Sequence, residues 1–443
     1  MKQGPRDRTA TVLFLAAMLQ PLMRGGAHAQ MLSPLEQSGA LDSIARLLRT
    51  EYVYDVTGIR CASEMEALKR ARDYQNARNQ TDFASSTTRS LRNCANDEHL
   101  EVVAAPPAAA APAPTPPVGE PPWLVALRAR SFDLPRAERL AGNIGYIELN
   151  SFPPPEVAGE TVAAAMSLLA HTDAMIIDLR QNGGGTGDMV RFLATWFFEQ
   201  PTTITRTWRR AENRITDDRT LPYVPGQRRP KVPLYILTSS ATFSAAEAFA
   251  FGFQQLGRAT IVGERTRGGA NAGRYRSIGY GLRVFIPMAN ARSPVSENSW
   301  ERVGVAPDVT TAADSALAVA HAIALRRLIA EAGGNPTRVR ALTWLLEAVA
   351  STGRKAGIDP VRCAEWAGSY EGGRELRCRA GTLRFARADG PERTLIPVGN
   401  DEFYMEGIED ARLRFDGRGQ RVMLRILDAD GSVQSAARVQ AQR

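Results

Sequence analysis

Apolar and polar positions change their rhythm three times along this 443-residue chain. From residue 34 to 98, apolar positions such as Leu41, Ile44, Leu47 and Leu48 recur at helical spacing among charged residues, which predicts mostly helix. From about Gly142 to Asp308, short apolar runs alternate with helix-favouring stretches. Ile144–Leu149 reads as a strand, Val157–Leu169 as a helix, and Ala174–Leu179 as a wholly apolar strand buried on both faces. A helix follows near Met189–Phe198, then a strand from Pro233 that ends before Ser244, a helix after it, and a strand at Ala259–Val262. That alternation predicts an α/β core. Residues 312–353 predict two helices separated by Gly333-Gly-Asn-Pro336. Beyond Ile358 come short strand-like pieces: Leu395–Val398, Phe403–Met405, Arg412–Phe415 and Val422–Leu427. The dipeptides Asp389-Gly390, Asp416-Gly417 and Asp430-Gly431 divide them, which predicts a small antiparallel β domain.

The expected division is a signal peptide at 1–29, an N-terminal helical domain at 30–103 and a Pro/Ala-rich linker at 104–122. An α/β core at 123–311, a helical connection at 312–356 and a C-terminal β domain at 357–443 complete it. The signal reading rests on Lys2, Arg6 and Arg8, the short apolar run Thr11–Leu19, and Ala27-His-Ala29 before Gln30. That run is too short to span a bilayer, and no later apolar run is long enough. The expected location is therefore outside the cytoplasm, periplasmic or secreted, with no integral membrane span. At 44% hydrophobic and 23% charged residues the composition is that of a globular protein. The net charge of +8 is scattered as single arginines, without the basic, aromatic-interleaved patch of a nucleic-acid binder. The four cysteines form two local pairs, Cys61 with Cys94 and Cys363 with Cys378. In an oxidising compartment these read as two disulfides, elsewhere as buried thiols. No CxxC or HExxH spacing supports a metal site, and no cofactor is expected.

Candidate chemistry gathers where strands end. Thr238-Ser-Ser-Ala-Thr-Phe-Ser244-Ala-Ala-Glu247 carries a strand directly into a helix. Ser244 is placed there either as a plain N-cap or as a nucleophile facing the unpaired N–H groups of the first turn. Asp178-Leu-Arg-Gln-Asn-Gly-Gly-Gly185 follows another buried strand. It could be a tight turn, a phosphate cradle that matches no nucleotide motif, or half an oxyanion hole, with Gly184 or Gly185 giving one donor and Ala245 the other. A serine nucleophile needs a base. The lysines are Lys2, Lys69, Lys231 and Lys355, none near the turn Gly263-Glu-Arg-Thr-Arg-Gly-Gly-Ala-Asn271. His28 would leave with the signal, His171 suits a helix C-terminus, and His321 sits inside an alanine-rich helix. His99 remains, in Cys94-Ala-Asn-Asp97-Glu-His99, as a base or an ordinary loop histidine. Glu247, Glu264, Glu297 and Glu301 are the carboxylates that could orient it.

Taken jointly, Gly145-Tyr146, Ile177-Asp-Leu-Arg-Gln-Asn-Gly-Gly-Gly185, Thr242-Phe-Ser-Ala-Ala-Glu247, Gly263–Asn271 and Trp300-Glu-Arg-Val-Gly-Val-Ala-Pro-Asp308 resemble the tail-specific (C-terminal-processing) serine peptidase family. Within it they resemble the tricorn-core and interphotoreceptor retinoid-binding branch. The resemblance implies a crotonase/ClpP-like α/β core, with Ser244 as nucleophile and oxyanion donors from the Gly183–Gly185 turn and Ala245. The Ser/Lys branch puts its lysine where this chain has Gly269. The tricorn-like branch takes a histidine from a D-x-H motif, matched by Asp97-Glu-His99, and a glutamate matched by Glu301. A PDZ domain often stands between that motif and the core in the family; here the Pro/Ala stretch occupies the place. Protein or peptide is the implied substrate. The retinoid-binding relatives leave open an inactive peptide- or lipid-binding protein on the same core.

Overall fold

Three helices begin the first part of the fold: α1 (Pro34–Glu51), α2 (Asp55–Ala71) and α3 (Gln80–Ala95). α1 starts behind a capping box, in which Ser33 Oγ accepts the Glu36 N–H and the Glu36 carboxylate accepts the Ser33 N–H. α3 is capped by Asn79 and ends at Asn96, whose left-handed backbone (φ 49°) turns the chain out of the helix. These elements belong to a computed structural model that describes residues 31–439 apart from 73, 75, 76, 78, 105–119, 353–357, 388 and 389. The expected signal peptide, most of the Pro/Ala-rich linker and Asp389 lie outside the described residues.

The chain continues through β1 (Glu101–Ala104), α4 (Pro122–Ala129), β2 (Arg136–Leu140), β3 (Ile144–Glu148), α5 (Pro155–Leu168), β4 (Ala174–Asp178), α6 (Gly187–Ala194), β5 (Thr203–Arg209) and β6 (Arg214–Arg219). Then follow β7 (Leu234–Thr238), α7 (Ala245–Gln255), β8 (Thr260–Gly263), β9 (Asn271–Gly279), β10 (Leu282–Arg292) and β11 (Val309–Thr310). One six-stranded sheet has the order β11-β8-β7-β4-β3-β2, with β7, β8 and β11 parallel. Every residue of β4 and β7 is buried, the pattern of strands covered on both faces. A second sheet runs β1-β10-β5-β6, with β9 also paired to β10. The fold is thus the expected α/β class, with helices before the core and an antiparallel sheet after it.

The described residues divide into two compact units. One comprises residues up to 137 with 147–170 and 177–310; the other comprises 138–146, 171–176 and the chain from 311. In the first, Ile44, Leu48, Met65, Phe83 and Leu91 of the opening helices share a core with Ile278, Leu282, Val284 and Ile286 of the β9–β10 hairpin. In the second, α8 (Ala313–Glu331) and α9 (Pro336–Thr352) fall where the Gly-Gly-Asn-Pro break predicts them. α10 (Pro360–Trp366) then leads into eight antiparallel strands paired in chain order from Gly368–Tyr370 to Val433–Ala437. Trp366, Phe403, Phe415 and Leu424 fill the core of that sheet. Gly417 and Gly431 take positive φ in its turns, as the Asp-Gly pairs predict.

Both cysteine pairs are disulfides, Cys61–Cys94 joining α2 to α3 and Cys363–Cys378 joining α10 to the β sheet. His171 lies in the turn after α5, and His321 is buried in α8 with Nε2 2.8 Å from the Ala141 carbonyl. No helix among the described residues is long and apolar enough to cross a membrane. No cluster of three or more His, Cys, Asp or Glu suited to a metal occurs among them.

Candidate active site

The site lies at the C-terminal ends of β4 and β7, where open α/β sheets place their ligands. Leaving β7, the chain is tied down before it reaches Ser244. Thr242 Oγ1 donates to the Leu179 carbonyl (2.8 Å) and the Phe243 N–H to the Asn182 carbonyl (3.0 Å). Ser244 then adopts φ 55° and ψ −117°, a region costly for any residue with a Cβ. α7 begins at the next residue.

Glu247 holds this corner in place. Its carboxylate is fully buried and accepts from Ser244 N–H (2.8 Å), Thr266 Oγ1 (2.5 Å), Gly268 N–H (2.6 Å) and Gly269 N–H (2.8 Å). Burial raises its pKa, against the pull of those four donors. Glu247 is therefore the fastener of the Ser244 corner, in the first turn of the helix. Glu247→Ala should leave four buried donors without an acceptor and lower unfolding free energy by about 3–5 kcal/mol in denaturant titrations.

The Gly183–Gly185 turn closes against the same corner. A Cβ on Gly184 (φ 109°) would lie 2.8 Å from Ser244 Cβ and 3.1 Å from Ala245 N. Only glycine allows that approach. The Gly184 N–H donates to Asn182 Oδ1 (2.8 Å) and is committed to the turn. Gly185 (φ 144°) has the Phe152 carbonyl against its Cα, bridged through Phe152 N–H to Gly184 O and Thr186 N–H to Phe152 O. The N–H groups of Gly185 and Ala245 have no acceptor among the described residues.

His99 arrives from far away in sequence. Its Nε2 lies 3.1 Å from Ser244 Oγ, joining residues 145 positions apart. Three local features deliver it: the Cys61–Cys94 bridge, the left-handed turn at Asn96, and the pairing of Glu101 with Phe285 where β1 joins β10. The ring packs against Phe243 (centroids 4.5 Å apart) and Phe285 (5.9 Å).

Two carboxylates act on the imidazole, Asp97 from close by and Glu301 through its charge. Asp97 Oδ1 is 3.5 Å from His99 Nδ1 and accepts the His99 N–H at 3.0 Å. Its Oδ2 accepts from Tyr52 and from Asn271 Nδ2, each at 2.9 Å. Glu301 Oε2 accepts the N–H groups of Ala270 (2.7 Å) and Asn271 (3.0 Å). Glu301 Oε1 and His99 Nδ1 are both buried without a hydrogen-bond partner. Burial, then the charge of Asp97, push Glu301 up to about 7, with His99 opposing. Burial raises Asp97 too, but His99 and Asn271 outweigh it and hold that carboxyl below its usual range.

Glu301 therefore binds a proton more tightly in the folded chain than in the unfolded one, so its contribution to stability is greatest at low pH. That contribution falls as pH rises from about 4.5 through 7, a loss of about 3 kcal/mol between pH 4 and 8. Glu301→Gln should abolish this slope, read as the difference between mutant and parent unfolding curves across that range.

Ser244 and His99 are thus in hydrogen-bond contact, with Ala245 next in the chain, whereas Glu301 makes no hydrogen bond to the imidazole among the described residues. Glu264 accepts the Ser240 N–H (3.2 Å) and Glu297 pairs with Arg206 (3.2 Å). Sequence reasoning gave no role to Asn271, which ties the two carboxylates together through its N–H and its amide. It gave none to Tyr52 or Phe285 either, since neither lies in a motif.

Residues 143–311 match the model of Peptidase family S41. The chain is 28% identical over 171 residues to carboxyl-terminal-processing peptidase 3, chloroplastic, of Arabidopsis thaliana, covering 37% of this chain and 31% of that one. It is 27% identical over 172 residues to a carboxyl-terminal-processing protease of Picosynechococcus, covering 39% and 40%. The match thus spans less than half the length of these relatives. Among solved structures, a lipoprotein from Streptococcus agalactiae superposes with a TM-score of 0.45 at 15% identity, over 67% of this chain and 98% of that one.

Proposed function

From a core whose residues 143–311 match the model of Peptidase family S41, we propose that this protein is an exported serine peptidase that cleaves proteins or peptides through an acyl-enzyme. The observation that carries the reading is the 3.1 Å contact between Ser244 Oγ and His99 Nε2. His99 takes the hydroxyl proton as Ser244 attacks the scissile carbonyl carbon. The Gly185 and Ala245 N–H groups receive the oxyanion, aided by the N-terminus of α7. Collapse of the tetrahedral intermediate breaks the C–N bond, and the imidazolium returns the proton to the leaving amine. Water, activated by the same histidine, then hydrolyses the ester.

The negative field of Glu301 and Asp97 stabilises the imidazolium. Glu301 Oε1 has capacity to accept, and Asp97 Oδ1 is the nearer charge to Nδ1. Export draws support from the two disulfides, which suit an oxidising compartment, and from the signal-like first residues. The names of the relatives point to carboxyl-terminal processing as the substrate class, either by removal of a tail or by endoproteolysis near it.

The test is active-site labelling. A fluorophosphonate probe should modify the folded wild-type protein once, and peptide mapping should place the adduct on Ser244. Well-folded protein that stays unlabelled but binds peptide or lipid tightly would overturn the peptidase reading in favour of a carrier.

A further inference from the structure

We propose that Arg267 is a specificity-determining residue that receives a carboxylate of the peptide substrate beside the scissile bond. The inference rests on the peptidase reading of Ser244 and His99 and goes on to the chemistry of what they cleave. Three arginines surround the turn that carries Gly268 and Gly269, and two are occupied. Arg265 donates to the Val303 carbonyl (3.1 Å), and Arg302 to the carbonyls of Asn96 (3.0 Å) and Ala95 (2.6 Å). Arg267 is exposed and has neither an ion pair nor a side-chain hydrogen bond among the described residues. Its guanidinium lies 5.0 Å from the centroid of the Phe243 ring.

Phe243 precedes the nucleophile and packs on His99, so the cation rests on the wall of the reactive pair. It lies no more than about three residues of extended chain from the imidazole. The base of the side chain is fixed as well, because the Arg267 N–H donates to the Thr242 carbonyl (3.1 Å). A guanidinium held over an aromatic ring by its charge, with no hydrogen-bonded acceptor of its own, has N–H donors to offer, and they match a carboxylate bidentately. Arg283 makes a useful contrast. It lies 5.1 Å from the Tyr275 centroid, but that tyrosine already donates to the Glu101 carboxylate (2.8 Å), so an acid stands beside it.

The carboxylate can belong to an Asp or Glu side chain or to the substrate's own C-terminus. Matched fluorogenic peptides separate the two: Glu against Gln at each of three positions flanking the cleavage site, and free acid against amide at the C-terminus. Wild type should favour the acidic member at one of these places by about tenfold in kcat/KM. Arg267→Gln should erase that preference by lowering kcat/KM for the acidic member about tenfold more than for the neutral one, and Arg267→Lys should keep part of it. Equal cleavage of both members by wild type, or equal loss on both in Arg267→Gln, would overturn the assignment. The same pairs titrated against Ser244→Ala, with and without Arg267→Gln, read the preference as a ratio of Kd values without turnover. Failure of wild type to label at Ser244 would sink the peptidase reading, while the binding ratio alone would still decide the role of Arg267.

Discussion

Ser244→Ala and His99→Ala should each lower kcat on any cleaved peptide by about 10⁴–10⁶, and the double variant should be no worse than either single one. Each removes one half of a proton transfer that needs both atoms at hydrogen-bond distance, and the structure holds them 3.1 Å apart. A lone serine hydroxyl is a poor nucleophile at neutral pH, and a lone imidazole beside an alanine methyl has nothing to activate. The residual rate comes from donors that neither substitution touches, the N–H groups of Gly185 and Ala245. Both variants should fold. The corner at Ser244 is held by main-chain groups and by Glu247, which an alanine at 244 leaves intact. The measurement is single-turnover cleavage, with circular dichroism confirming native structure. Losses that multiply in the double variant would mean that the two groups act independently, and the pair would not be a catalytic unit.

Which parts of this arrangement were legible in the sequence follows from how local their causes are. The strand-to-helix passage at Ser244 is written in consecutive residues, and so is the glycine turn after β4. Both fall within a residue or two of the observed boundaries. The helices on either side of the Gly-Gly-Asn-Pro break and the Asp-Gly turns of the last sheet are equally local. The β9–β10 hairpin was not legible. Arg274, Arg276 and Arg283 interrupt its apolar alternation, and Pro287 sits inside the second strand. Its strand character comes from pairing with β1 and β5 and from packing under the opening helices, which are distant partners. The same distance hid Asp97 and Asn271 as a pair. Residues 174 positions apart meet through one amide, and nothing in the spacing of either announces the other. The opening helices likewise read as a separate helical domain from pattern alone, whereas their core is shared with that hairpin.

Gly269→Ala should cost about 10²–10³ in kcat/KM, the second largest effect expected of a single substitution here. The backbone at 269 lies outside the left-handed region, so alanine meets no conformational penalty and the question is one of room. A methyl group there would stand 2.2 Å from Phe243 Cε2 and 2.6 Å from His99 Cε1. The main chain of Phe243 is held by its N–H bond to the Asn182 carbonyl. The methyl therefore crowds both rings, and because they pack on each other at 4.5 Å, displacing either one disturbs the seat of the imidazole beside Ser244. Overpacking of this kind costs about 1–3 kcal/mol in stability, so the protein should remain folded while its base is displaced. Gly187→Ala is the control, since a Cβ at 187 meets nothing within 4 Å and should leave turnover unchanged. The same geometry gives a physical reason why a larger residue at 269 and a histidine at 99 exclude one another in this fold. The volume into which a side chain at 269 would grow is filled by the imidazole and the Phe243 ring packed on it. Full activity in Gly269→Ala, with His99 still within hydrogen-bond reach of Ser244, would show that the ring has slack to yield and would remove that reason.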